Sequence, residues 1–140
     1  MGLSETLNEL GRCTACHLAG GAESIAAARE HARRFLLDAE PGMPGRTVTD
    51  VLLAVSELVT NAVLHAPGPC TLEIELDERQ VLIGVTDTSS AGPTLKQPDY
   101  RYGSGGLGLH MLRALAGEVE IRPHGSSGKT VRVRLARAPR

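Results

Sequence analysis

SELVTNAVLH, residues 56–65, is an apolar run interrupted at a fixed interval by Glu57, Asn61 and His65. Residues four apart share one face of an α-helix, so a carboxylate, an amide and an imidazole line up on a single stripe. The helix predicted around them runs from about Thr47 to Ala66, with Val48, Val51, Leu52, Val55, Leu58, Val59, Ala62 and Val63 on its main apolar face. Leu53 and Leu64 fall well round from that face. A helix apolar on both sides of its polar stripe is expected to be buried, with Asp50, Glu57, Asn61 and His65 opening on a pocket. Asp50 reads as a first-turn acid favouring the helix dipole, and His65 as a satisfied histidine near the helix end.

Before this helix, EPGMPGR, residues 40–46, is marked as a loop by two prolines and two glycines. An earlier helix carries Ile25, Ala28, Ala32, Phe35 and Leu36 at helical spacing and starts after the breaker pair Gly20 and Gly21. A short strand is expected at about Arg12–Leu18, and residues 1–11 read as an N-terminal tail or short helix. After the central helix, TLEIEL and VLIGVTD read as a hairpin joined by the polar turn DERQ. Leu72, Ile74 and Leu76 alternate with Thr71, Glu73 and Glu75, the pattern of a sheet with one wet face. The parity of Val81, Ile83 and Val85 then reaches Asp87, which puts an acid on the core-facing side. Residues 88–106 lack periodicity and read as a loop. A helix from Leu107 to Ala116, a strand near Glu118–Arg122, a PHGSSG turn and a strand KTVRVRL follow. Lys129, Arg132, Arg134 and Arg137 read as a solvated basic face on that last strand. One domain over residues 12–137 with a tail at 138–140 is the expected organisation.

The 140 residues, 41% of them hydrophobic, suffice for one core, and a formal charge of −1 supplies no field for drawing in nucleic acid or anionic lipid. With no Trp, two Tyr and one Phe, base stacking has few partners. No apolar run is expected to approach membrane-spanning length, and MGLSETLNELGR lacks the basic start and apolar core of a secretion signal, so a cytoplasmic location is expected. CTACH, residues 13–17, spells the C-x-x-C-H haem-attachment pattern. Haem attachment normally needs export, and a zinc site needs ligands beyond the remaining Cys70. The expected reading is a strand whose Thr14, Cys16 and Leu18 pack on a core.

GSGGLGL, residues 103–109, is a glycine-rich loop feeding a helix, the form that offers free backbone N–H groups to a phosphate chain. Gly103, Gly105 and Gly108 also spell G-x-G-x-x-G, but the dinucleotide fold requires an apolar strand just before the glycines and KQPDYRY stands there. On spacing alone, a structural polar stripe at Glu57 and Asn61 is as good a reading as a catalytic one.

The order of elements is more specific: a Glu-x-x-x-Asn helix, an Asp ending a strand, then Gly-Leu-Gly opening a second helix. In these three boxes, ELVTNAVLH, DTSSAGP and GSGGLGL, and in the closing GKTVRV, the chain resembles the GHKL ATPase superfamily, most of all the small anti-sigma-factor serine kinases. The resemblance implies an α/β two-layer sandwich with helices on one face of a mixed, mainly antiparallel sheet, holding Mg-ATP. It assigns Glu57 as general base, Asn61 as the Mg²⁺ ligand and Asp87 as acceptor for the adenine amine. It places Gly92 beside adenine, Gly103, Gly105, Gly106, Leu107 and Gly108 around the phosphates, and Thr130 in support of adenine recognition. Ser89 stands where the family usually has a glycine, and Ser104 and Gly105 where relatives often carry an arginine, leaving Arg101 as the nearest basic residue to the γ-phosphate. The implied function is phosphorylation of a STAS-type anti-anti-sigma protein by a chain that also sequesters a sigma factor, with room for a homodimer. An ATP-gated binding module without productive transfer is the alternative. A detached histidine-kinase catalytic domain finds no phosphoacceptor helix in the sequence.

Overall fold

The computed structural model describes residues 3–8, 11–66, 68–88, 112, 114–115, 119–125 and 128–137, the first of these for the course of the backbone alone. Six strands and two long helices are defined: β1 Leu3–Asn8, β2 Gly11–Leu18, α1 Glu23–Ala39, α2 Gly45–His65, β3 Cys70–Leu76, β4 Gln80–Asp87, β5 Val119–Pro123 and β6 Lys129–Ala136. They form one sheet in the order β1-β2-β3-β4-β6-β5, with α1 against β2 and α2 against β4 and β6. The two-layer α/β sandwich is thus present.

Period-two patterning decides which face is covered. Thr14, Cys16 and Leu18 of β2, Leu72, Ile74 and Leu76 of β3, Val81, Ile83 and Val85 of β4, and Val131, Val133 and Leu135 of β6 all point under the helices and are buried. Phe35 and Leu36 of α1 and Val51, Val55, Leu58 and Val59 of α2 meet them from above, each 1% exposed or less. The opposite sheet face carries Glu73, Glu75, Glu120 and Arg134, all exposed. A side-chain tie joins the layers where Thr14 Oγ1 meets His31 Nε2 at 2.9 Å. The β3–β4 turn is held by Asp77, whose Oδ1 accepts the backbone N–H groups of Arg79 at 2.7 Å and Gln80 at 2.9 Å. These two bonds, the Arg79 one foremost, hold the Asp77 carboxyl below its ordinary value of 3.8.

Expectations are corrected at the start of the chain and along α2. Residues 3–8 are neither tail nor helix but an edge strand paired antiparallel with β2, from Leu3 opposite Cys16 to Asn8 opposite Gly11. Every pairing among the described strands is antiparallel; β4 and β5 do run the same way, but β6 lies between them and they share no ladder. Helix α2 starts at Gly45 behind Pro44, whose φ of −56° suits a helix entrance, so Asp50 stands in the second turn and the first holds no acid. The helix is also long and apolar enough to cross a membrane by length and composition, with 21 residues and a mean hydropathy of 1.5. Here it serves as the core helix of the sandwich, and its expected burial on all sides is not met: Leu53 is half-buried and Leu64 is 50% exposed.

The solvated-face reading fails at Arg137. Arg137, just past β6, is 7% exposed in its side chain and places Nη2 2.6 Å from Glu40 Oε1 at the end of α1. Its Nη1 donates to the Asp77 carbonyl at 2.7 Å, so one guanidinium joins the α1 end to the β3–β4 turn.

Candidate functional site

The site is built at one end of the sandwich. β3 begins at Cys70, four residues beyond Ala66 at the α2 C-cap, a reach of at most roughly 14 Å. Cys70 sits opposite Asp87, the last residue of β4, and Lys129 opens β6 beside it. The C-terminal turns of α2 and the Asp87 end of the sheet therefore lie at the same end of the sandwich. Near them the backbone of Gly20, at φ +102°, lies so close to Gly68 that a side chain on Gly20 would strike the Gly68 carbonyl.

On α2 the four-residue spacing works as the sequence suggests, with different burial at each step. Asn61 is 3% exposed, Glu57 one turn earlier is half-buried, and His65 one turn later is exposed in the last turn, where a basic group complements the helix end. Asp87 is 3% exposed, as its core-facing parity requires. A buried carboxylate needs partners, and the structure supplies one the sequence reading missed. Lys129 Nζ lies 2.8 Å from Asp87 Oδ2, with side-chain exposures of 12% and 4%. The backbone makes room for the pair at Gly128, whose φ is +109°; a Cβ there would collide with the Asp87 carbonyl and come within 2.8 Å of Oδ1. The Asp87 charge reaches its strand neighbour as well. Burial first, and then that charge, pushes the Cys70 thiol up, while burial alone pushes up Cys16.

Thr130 is not brought to Asp87. It faces the opposite side of the sheet, its Oγ1 2.7 Å from Thr86 Oγ1 and 2.7 Å from His124 Nε2. Alternation along β6 gives the inward place to Lys129, in line with Val131, Val133 and Leu135. Strand parity was the signal that could have found it, since Lys129 falls two residues before Val131. Gly92, Arg101, Gly103, Gly105, Gly106, Leu107 and Gly108 lie outside the described residues. Leu112, within the helix expected from Leu107 to Ala116, is helical and fully buried.

A buried amide near the end of a core helix and a buried acid ending a central strand, at one end of the sandwich, are the features that the family resemblance anticipates. Residues 19–135 match the model of the histidine kinase-like ATPase domain. The chain belongs to that family. Its relatives include an anti-sigma F factor from Pasteuria penetrans, 30% identical over 122 residues, covering 78% of this chain and 80% of that one. Among solved structures, the histidine kinase domain from the Erythrobacter litoralis EL346 blue-light activated histidine kinase superposes with a TM-score of 0.52 at 18% identity. That likeness covers 81% of this chain and 59% of the other, and it concerns the fold.

The residues of this histidine kinase-like ATPase domain suit the ligand that membership implies, ATP. Asp87 offers a buried carboxylate as acceptor for an amine, with Lys129 paired to it and Gly128 close against it. Among the described residues no group of three or more His, Cys, Asp or Glu side chains is placed to hold a metal ion. A divalent cation would then be held chiefly by the nucleotide's phosphates, with Asn61 the described residue suited to add one amide oxygen. Mg²⁺ commonly binds in this way.

Proposed function

We propose that the chain is a cytoplasmic Mg-ATP-dependent serine/threonine protein kinase of the anti-sigma-factor type. Its partners would be a sigma factor that it sequesters and a STAS-type anti-anti-sigma protein that it phosphorylates. The observation that carries this reading is the pairing on α2 of half-buried Glu57 with buried Asn61 one turn on, at the same end of the sandwich as Asp87. The anti-sigma F factor relative supports the choice of partners.

In this scheme Asp87 accepts a hydrogen bond from the adenine amine, and Asn61 would lend its amide oxygen to bound Mg²⁺ at the phosphate end. Bound Mg²⁺ would supply neutralisation of the phosphate charge. Glu57 takes the proton from a partner serine as its Oγ bonds to the γ-phosphorus; the bond to the bridging oxygen breaks and ADP leaves. The carboxylate matters for transfer and little for holding ATP, which separates the two functions experimentally.

Glu57→Gln preserves size and removes basicity. It is expected to keep Mg-ATP affinity within several-fold while slowing phosphorylation of a cognate partner about a hundredfold, roughly 3 kcal/mol of transition-state stabilisation. Calorimetry and transfer of labelled γ-phosphate measure the two quantities. Equal transfer rates for both proteins would reject Glu57 as base. The absence of the family arginine near Ser104 favours a second reading, an ATP-gated binding module. A wild-type chain that binds ATP and phosphorylates no authenticated partner would establish that one instead.

A further inference from the structure

The sheet face turned away from α1 and α2 is a surface of its own, and it is polarised by charge. On β3 it carries Glu73 and Glu75, both exposed and free of ion pairs among the described residues. On β5 and β6 it carries Arg122, Arg132 and Arg134 against a single carboxylate, Glu120, which Arg122 and Arg132 share at 3.0 Å each. Strand β4 separates the acidic strip from the basic one and contributes Leu82, Gly84 and Thr86, with no charge. The rows are in register: Glu73 stands opposite Gly84 and Gly84 opposite Arg132, while Glu75 stands opposite Leu82 and Leu82 opposite Arg134.

Gly84 is an independent observation. A glycine inside a strand weakens it, and where no bulge requires one it marks a place where another backbone comes close. The ladders on both sides run through Gly84 without a bulge. The chain's own packing would also admit a side chain there, since a Cβ on Gly84 would meet nothing nearer than the Thr130 methyl at 3.6 Å and the Arg132 stem at 3.7 Å, both ordinary contact distances. We propose that this face docks a second copy of the chain about a two-fold axis running along β4 through Gly84. That axis carries the acidic strip of one copy onto the basic strip of the other and keeps each residue at its own height along the strands. Glu73 then faces Arg132 of the second copy and Glu75 faces its Arg134, each pair occurring twice. An axis across the strands would set acid on acid, so the charges select one orientation. The two Gly84 backbones meet at the axis, where side chains would hold the sheets apart. Strands β2, β3, β4 and β6, seven or eight residues long, offer a face of roughly 500 Å² per copy, the low end for specific pairing. The dimer is therefore reversible and sensitive to salt.

The test is sedimentation equilibrium of the full chain without nucleotide, from about 1 to about 200 μM. Wild type is expected to show a monomer–dimer equilibrium that moves toward monomer when NaCl is raised to about 0.5 M. Glu75→Arg and Arg134→Glu each bring like charges together twice and should each weaken self-association roughly 30-fold. Mixed in equal amounts, the two variants should recover a dimer of near wild-type affinity, because every pair across the axis is again opposite in sign. Gly84→Thr gains strand propensity and meets no clash within the chain, so it should melt no lower than wild type where both are monomeric and yet lose the dimer. A wild type still monomeric at about 200 μM, self-association unchanged in Glu75→Arg and Arg134→Glu, a mixture no tighter than its components, or undiminished pairing of Gly84→Thr would each overturn the proposal. Dimerisation through another surface, such as the β1 edge of the sheet, would give the second of these results.

Discussion

Removing the Arg137 side chain is expected to be among the most destabilising single changes away from the hydrophobic core. In Arg137→Met the ion pair to Glu40, at 2.6 Å with side-chain exposures of 7% and 17%, disappears, as does the bond from Nη1 to the Asp77 carbonyl at 2.7 Å. The aliphatic stem is largely retained, and the backbone bond from the Arg137 N–H to the Arg79 carbonyl at 2.9 Å is untouched. What dominates is the carboxylate left behind. Breaking a buried pair from one side typically costs about 3–5 kcal/mol, since the surviving charge remains desolvated without its counter-ion. For a chain of this size that corresponds to a fall in Tm of about 10–15 °C. Urea unfolding followed by far-UV circular dichroism measures it, with the slope checked for constancy. The double variant Glu40→Gln, Arg137→Met removes the stranded charge and should recover at least about 1 kcal/mol relative to the sum of the single changes. A loss below about 1 kcal/mol for Arg137→Met, or strict additivity in the double variant, would refute the argument that this is a desolvated, coupled pair.

Acid should act through the β3–β4 turn. The Asp77 carboxyl is depressed in the fold, so the stabilisation it gives is complete above its ordinary value of 3.8 and is lost as pH falls through the lower folded value. Asp77→Asn is expected to be less stable than wild type at neutral pH and to converge with it toward pH 2, as urea midpoints at several pH values would show; a constant difference across that range would contradict the assignment. The thiols offer a second probe. Cys16 and Cys70 are buried with raised pKa values, whereas Cys13 is half-buried, so iodoacetamide under native conditions should modify Cys13 first and the other two only on unfolding, read by intact-mass spectrometry.

How far the sequence revealed this molecule follows the range of the interactions involved. Alternation and helical periodicity are local, and they placed β3, β4 and α2 within a few residues, and Asp87 on the covered face. Lys129 and Arg137 were read as solvated charges because a charge on a strand has no local sign of burial. Their partners stand 42 and 97 residues away in sequence and are brought near only by the sheet order. Thr130 was carried over by likeness to a family position although β6 parity had already turned it outward. Residues 3–8, LSETLN, have neither clear alternation nor an apolar run, and their pairing with β2 is a property of the edge that β2 offers. At the α2 start, Pro44 looked like a helix breaker, yet a proline is compatible with a helix entrance, which moved the boundary to Gly45.

The place of β6 has a consequence for how the protein is made. It is the last described strand to be synthesised, yet it occupies an interior position between β4 and β5. Until residues 129–136 leave the ribosome, β4 lacks one neighbour, β5 has none of its described partners, and the inward faces of Val81, Ile83 and Val85 lack the shelter of Val131, Val133 and Leu135. An incomplete chain would thus expose two ladders and an apolar strip together, the surface that invites misassembly in a crowded cell. Sheet closure is expected only once residues 129–136 have emerged, and a nascent chain stalled before residue 129 should be a substrate for chaperones, with release from them following emergence of β6.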